Sequence, residues 1–299
     1  MIVAMRARNN FFLFGLLLLL TGFDTRLANG QKAAPPRDPD SFESAEELVY
    51  EAEFSRALLR NVNIADFRFT ATRKPFRPSE ASDGLSESEN APYALLFTGE
   101  VVSKGFFSKL FNLRFREHVE STVEPATFAV QKTTRLDEQG KRVRSSETIY
   151  DRQAGQVVWT ERDPNNPSRK PRVVSSPFTG QVHDVLSAIY FLRTLPLRIG
   201  KIFELSVSDS GQVFKVPLRV IEGKKVKTVL GRVEAVRVDA ELSGVSGMSK
   251  TDQFSIWLTD DYRHVPVSAR IKNEYGTFDI KLKKVIQNNG RKEYVTRKG

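Results

Sequence analysis

The chain has no cysteine, only three histidines and only two tryptophans in 299 residues. Without cysteine there is no disulfide, no thiolate metal site, no cysteine nucleophile and no lipid-bearing cysteine of a lipoprotein. The histidines, His118, His183 and His264, are scattered, and no HxH or HExxH spacing occurs, which argues against a zinc site. A P-loop and a G-x-G-x-x-G loop are also missing. Gly244–Gly247 (GVSG) lacks the final glycine of a G-x-S-x-G elbow and has no strand–turn–helix around it. No cofactor is expected. With no acid–base–nucleophile set in view, the chain reads as non-enzymatic. The longest apolar stretch, Phe11–Phe23, is shorter than the roughly 20 residues of a membrane-spanning helix.

That stretch belongs to a leader. Arg6 and Arg8 form a positive n-region, Phe11–Leu20 an apolar h-region, and Ala28 and Gly30 sit at the −3 and −1 places of a cleavage site. The pattern predicts a secretory signal peptide over residues 1–30. Export without cysteine suits a Gram-negative periplasm, in solution there or against the outer membrane. The net charge is +10; losing three Arg and one Asp with the leader leaves +8. A basic balance favours nucleic acid, anionic head groups or acidic polysaccharide, and export removes nucleic acid from the expected partners. The cations are spread along strands, as in Lys215/Arg219, Arg237 between Glu234 and Asp239, and Lys281/Lys283. That is the distribution of a solvated outer sheet face.

After a Pro- and Ala-containing linker (31–45), period-two alternation begins. Leu48, Tyr50, Ala52 and Phe54 share one face of a half-buried strand. Val62 and Ile64 stand on the opposite parity to Phe67 and Phe69, which predicts a bulge near Ala65. Residues 74–92 read as a mobile Pro/Ser/Glu-rich insert, and 106–116 as strand in preference to amphipathic helix. Hairpin turns are predicted at 137–140, 153–155, 208–211, 222–225, 244–247, 259–262 and 274–276. Between them alternate Phe203/Leu205/Val207, Phe214/Val216/Leu218/Val220, Val236/Val238/Ala240/Leu242, Val265/Val267/Ala269/Ile271 and Phe278/Ile280/Leu282. Residues 163–177 form a Pro/Asn/Ser-rich crossing loop, and 289–299 a basic tail. The one convincing helix spans His183–Leu195, with Val185, Ile189 and Leu192 on its apolar stripe, Asp184 in its first turn and Pro196 ending it.

The fold expected is mainly β: one domain over residues 46–288, a curved antiparallel sheet or half-barrel of about ten strands, with one helix packed on or inside it.

Asp184–Gly200 (DVLSAIYFLRTLPLRIG) resembles the signature of the bacterial DUF3108 family of exported proteins of unknown function. Trp257–Val267 (WLTDDYRHVPV) resembles a second family signature, and Leu48–Ser55 the family's first strand; Glu124–Asp151 matches more loosely. The resemblance covers about residues 46–286. It marks Asp184, Ser187, Tyr190, Arg193, Pro196, Gly200, Trp257, Asp261, Arg263 and Pro266 as signature positions. It implies a β-rich envelope protein with a barrel-like sheet and no established activity or ligand.

From the residues themselves, His183 and Asp184 read as helix-cap candidates, and Ser187 as a small residue that permits close packing. Asp184, Arg193 and Arg263 are charges inside apolar patterns, and a buried Arg263–Asp184 pair is expected. Two functions are open. One is a carrier of lipid or another amphiphile, in which Phe67, Phe69, Phe97, Phe214, Trp257 and Phe278 line a cavity or fill the core. The alternative is a scaffold or assembly factor that binds envelope proteins or cell-wall polymer.

Overall fold

In the computed structural model, residues 46–75, 93–104, 114–242, 252–287 and 292–295 are described. The expected leader, the linker, all but Lys74 and Pro75 of the insert, the 244–247 turn and most of 106–116 and of the tail lie outside them. Strands β1 (Glu46–Arg56), β2 (Leu59–Pro75), β3 (Tyr93–Ser103), β4 (Phe115–Glu124), β5 (Ala129–Gln139), β6 (Arg142–Asp151), β7 (Gln156–Arg162) and β8 (Arg172–Pro177) form one antiparallel meander. Then come β9 (His183–Asp184) and helix α1 (Val185–Leu192). A second meander holds β10 (Ile202–Asp209), β11 (Gln212–Thr228), β12 (Gly231–Ala240), β13 (Gln253–Thr259), β14 (Pro266–Asn273) and β15 (Gly276–Gln287), with β16 (Lys292–Val295) on β15. Antiparallel β1–β15 pairing joins the halves into one sheet, so β8 and β9 are the two ends of its described path; among the described strands β9 alone runs parallel, to β10.

Among the described residues the sheet has sixteen strands against the ten or so expected. Part of the difference is hidden in segments read otherwise: β8 lies in the expected crossing loop, β9 in the expected helix and β16 in the tail. The expected turn at 222–225 is not a turn. β11 runs through it with a bulge between Val220 and Glu222, and the chain reverses at Gly231, whose φ of 92° suits glycine. The bulge near Ala65 is present: Ala52 faces Ala65 and Glu53 faces Asn63, leaving Ile64 as the extra residue. Both Ile64 and Ala65 are buried, so the bulge carries the strand from one parity to the other.

Helix α1 is shorter than its apolar stripe. Asp184 is its N-cap, in extended backbone, and accepts from the amides of Leu186 (2.8 Å) and Ser187 (3.0 Å). Ser187 Oγ in turn accepts from the Asp184 amide at 3.0 Å, completing a capping box. Ser187 therefore serves through its hydroxyl. At the other end Arg193, Thr194 and Leu195 close tighter turns onto Tyr190, Phe191 and Leu192, and Pro196 follows.

Curvature brings the two ends of the sheet together. Gly211, in the β10–β11 turn, sits so close to β7 and β8 that a Cβ there would lie 2.7 Å from the Val174 carbonyl and 2.9 Å from Trp159 Cβ. Its φ of 81° also demands glycine. No described strand bonds β8 to β9. Side chains bridge the gap instead: Arg135 on β5 reaches Asp209 on β10 (3.4 Å), and Thr133 on β5 donates to Asp184 (3.0 Å).

Two apolar cores result. One gathers α1 with β3, β4, β7 and β10–β13; the other joins β1, β2, β14 and β15. The outer face carries the cations, paired across strands: Lys281 with Glu53 (2.7 Å), Lys283 with Glu51 (2.9 Å), Arg237 with Glu222 (2.7 Å). Such exposed pairs add little stability each. They neutralise a face that the sequence alone presents as basic.

Candidate functional site

The first core is not filled. Between α1 and the concave side of β10–β15, β1 and β2 lies a cavity of about 250 Å3. The helix contributes Val185, Ala188, Ile189 and Leu192; the sheet contributes residues such as Leu205, Val216, Leu218 and Ile256. These are the alternating positions that the strand pattern turns to one face. The wall is almost wholly hydrocarbon. Of its two charged members, Arg193 is held by Glu46, and Asp209 has a long contact to Arg135 and a bond from Ser210.

Of the six aromatics expected to line a cavity, Phe67, Phe69 and Phe214 stand in this wall. Phe97 stacks flat on Tyr190, with centroids 4.0 Å apart, and is wholly buried in the core. Phe278 packs on Phe54 in the second core. Trp257 points the other way from buried Ile256 and Leu258, and Lys224 Nζ sits 4.4 Å above its ring. For Trp257 the sequence carried the signal: it alternates with the two residues that face inward.

The signature charges form a lock at the C-terminal end of α1. Arg193, 3% exposed, makes a two-pronged ion pair with Glu46 on β1 at 2.6 and 2.9 Å. Its Nε donates to the Arg263 carbonyl (3.2 Å), and its guanidinium lies 5.4 Å from the Tyr190 ring centre. The His264 ring Nδ1 is 2.8 Å from the Arg193 carbonyl, so Nδ1 is the protonated nitrogen. Tyr50 donates to the Pro266 carbonyl at 2.8 Å. Asp261 accepts from Thr259 Oγ1 (2.7 Å) and from the amides of Arg263 (3.0 Å) and His264 (3.2 Å), holding the turn in which His264 takes a φ of 43°. Its carboxyl is held below the ordinary range: partial burial raises it, but the Thr259 hydroxyl and Arg263 outweigh that. Gly200 has a φ of 84° and donates its amide to the Val220 carbonyl.

The expected Arg263–Asp184 pair does not form. Arg263 pairs with Asp261 (3.2 Å), and Asp184 is fully used by its cap and by Thr133. The helix separates them: Asp184 stands at its first end and the Arg263 turn at its last.

Beside Asp184 lies a second, smaller chamber of about 40 Å3, where Thr133, Arg135, Tyr150, Asp184, Ser208 and Asp209 stand among apolar neighbours such as Trp159 and Leu186. Arg135 is ion-paired with Glu117. Burial pushes the Glu117 and Asp209 carboxyls up, against the opposing pull of Arg135. Sequence reasoning passed over this chamber, because its polar residues come from β5, β6, β9 and β10 and meet only when the sheet curls. His118, half-exposed, bonds Glu120 at 3.2 Å and stands apart from both cavities. Among the described residues no group of His, Cys, Asp and Glu is placed to hold a metal.

No curated protein sequence matches the chain. Among solved structures, it is similar to the crystal structure of a β-barrel-like protein of a domain of unknown function, DUF1849, from Brucella abortus. The identity is 10%, covering 82% of this chain and 98% of that one, with a TM-score of 0.49. The profile of DUF3108, a protein family of unknown function, matches residues 68–283, which include both signature segments, the helix and most of the cavity wall. The chain therefore belongs to the DUF3108 family.

Proposed function

We propose that the protein is an exported, non-enzymatic carrier that holds the hydrocarbon of a single-chain amphiphile between α1 and the concave face of the sheet. The observation that carries this reading is the hydrocarbon wall of the 250 Å3 cavity. A closed apolar void of roughly 150 Å3 stays dry and takes up small apolar molecules. Drug-sized sites begin near about 300 Å3. A space between these limits suits one alkyl chain. At its border Arg193 is held by Glu46 through a two-pronged ion pair, so that cation is not left unpaired beside the hydrocarbon. The leader-like N-terminus supports a periplasmic place of action, where apolar chains need escort through water.

Two measurements test this. Native mass spectrometry of protein purified from its own envelope should show a bound species with the mass of a one-chain lipid. Ala188→Phe, which projects a ring from α1 into the cavity, should lower the affinity for a fluorescent fatty-acid analogue about tenfold or more while leaving the melting temperature within a few degrees. Ala269→Phe fills the same space from β14 and should do the same. Unchanged affinity in both folded variants would place the chain elsewhere and reject the reading.

A further inference from the structure

The smaller chamber shares Val185 and Asp209 with the wall of the apolar cavity. Hydrocarbon lies on one side of these two residues; on the other, hydrogen-bonding groups stand among apolar ones such as Val119 and Leu186. At about 40 Å3 the chamber exceeds the roughly 10–15 Å3 that one water-sized group needs. A hydroxyl or an ammonium fits. A phosphate or a sugar does not.

Its chemistry is lopsided. Its border holds two carboxylates, Asp184 and Asp209, and a single cation, Arg135, which Glu117 outside the border also pairs with. Arg135 is drawn to Glu117 and touches Asp209 only at 3.4 Å. Asp184 is saturated by two helix amides, Thr133 and Ser187. Asp209 is not: among the described residues, beyond the long Arg135 contact, its carboxylate accepts only from Ser210, at 3.1 Å. Next to it Ser208, 2% exposed, meets the Tyr150 hydroxyl, but no well-aligned hydrogen bond closes on its Oγ among the described residues. A buried hydroxyl met so loosely leaves room for a better-placed partner, and an acceptor-rich surrounding calls for one that donates.

We propose that this chamber receives the polar end of the bound chain and selects a compact head that donates hydrogen bonds and carries no negative charge, a hydroxyl or a primary ammonium. The inference rests on the alkyl-chain reading of the cavity. A carboxylate in the same place would stand against Asp184 and Asp209 with Arg135 already engaged. A head that only accepts would leave Asp209 unmet.

The test is calorimetric titration of the full chain with 1-decanol, decylamine, decanoate and decyl methyl ether, which share a tail and differ in the head. Decanol and decylamine should bind about tenfold more tightly than decanoate and the ether. Ser208→Ala should remove severalfold of the decanol affinity and leave the ether unchanged. Asp209→Asn should weaken decylamine more than decanol. Four equal affinities, a preference for decanoate, or decanol and decylamine affinities that neither variant changes would overturn the head-group assignment while the cavity reading stands. Failure of all four to bind would remove the cavity reading, and this inference with it.

Discussion

Replacing Arg193 with methionine is expected to cost about 3–5 kcal/mol of stability, because it strands the Glu46 carboxylate in a dry site. The two side chains are 3% and 5% exposed and bond twice, at 2.6 and 2.9 Å. Removing one charge leaves the other without water and without a partner. Glu46→Gln should cost less, since the amide still accepts from the guanidinium. The double change Arg193→Met/Glu46→Leu should recover most of the loss, because well-packed apolar replacements of buried pairs are often close to neutral. Urea unfolding of the four proteins measures the cycle. The pair clamps the first described strand to the end of α1, and α1 is the roof of the cavity, so ligand affinity should fall with Arg193→Met and return in part with the double change. If Arg193→Met costs under about 1 kcal/mol, the site is wet and the lock does not hold the roof.

The second large effect is in pH. His183 is 2% exposed, stacked 4.4 Å from Phe191 and tilted against Phe128, with no hydrogen-bond partner for Nδ1. Burial, aided by nearby Arg152, keeps the ring neutral and pushes its pKa down to about 3. In the unfolded chain the value is about 6.5. Between the two the unfolded state binds a proton that the native state refuses. This contribution is therefore complete above pH 6.5 and is lost as pH falls, by about 1.4 kcal/mol per unit, until the native ring titrates. From pH 7 to 4.5 His183 alone should remove about 2.5 kcal/mol. His183→Phe keeps the stacked ring without the proton and should show a correspondingly smaller acid loss. The raised carboxyls of Glu117 and Asp209 act in the opposite sense: they favour the native state as pH falls through their folded values. The difference between wild type and His183→Phe isolates the histidine. Parallel stability curves for the two proteins would show that water or a counter-charge reaches the ring.

Sequence was a good guide where one face of a strand meets the core. The alternations at Leu48–Phe54, Phe214–Val220 and Phe278–Leu282 all fall in strands, and the switch of parity at Ile64–Ala65 marks a real bulge. It failed where backbone pairing overrides composition. VVSSP in β8 is polar and ends in proline, as an edge strand permits, and so reads as loop. The EGKK segment looks like a turn, yet β12 pairs along its whole length. Strand parity tells which side a phenylalanine faces but not which of two cores that side belongs to. Curvature decides this, and it sends Phe69 to the cavity and Phe97 beneath the helix. The partner of Arg193 was out of reach for the same reason: Glu46 is 147 residues away, and only the β1–β15 pairing brings it near.

The most direct test of the cavity is a series of straight-chain alcohols from hexanol to tetradecanol, titrated into the full chain. Each added methylene should tighten binding about fourfold, the worth of roughly 0.8 kcal/mol of buried CH2, until the 250 Å3 space is full and the affinity levels off. Ala188→Phe should move that plateau to a shorter chain. An affinity that does not grow with chain length, or no binding at any length, would contradict the account.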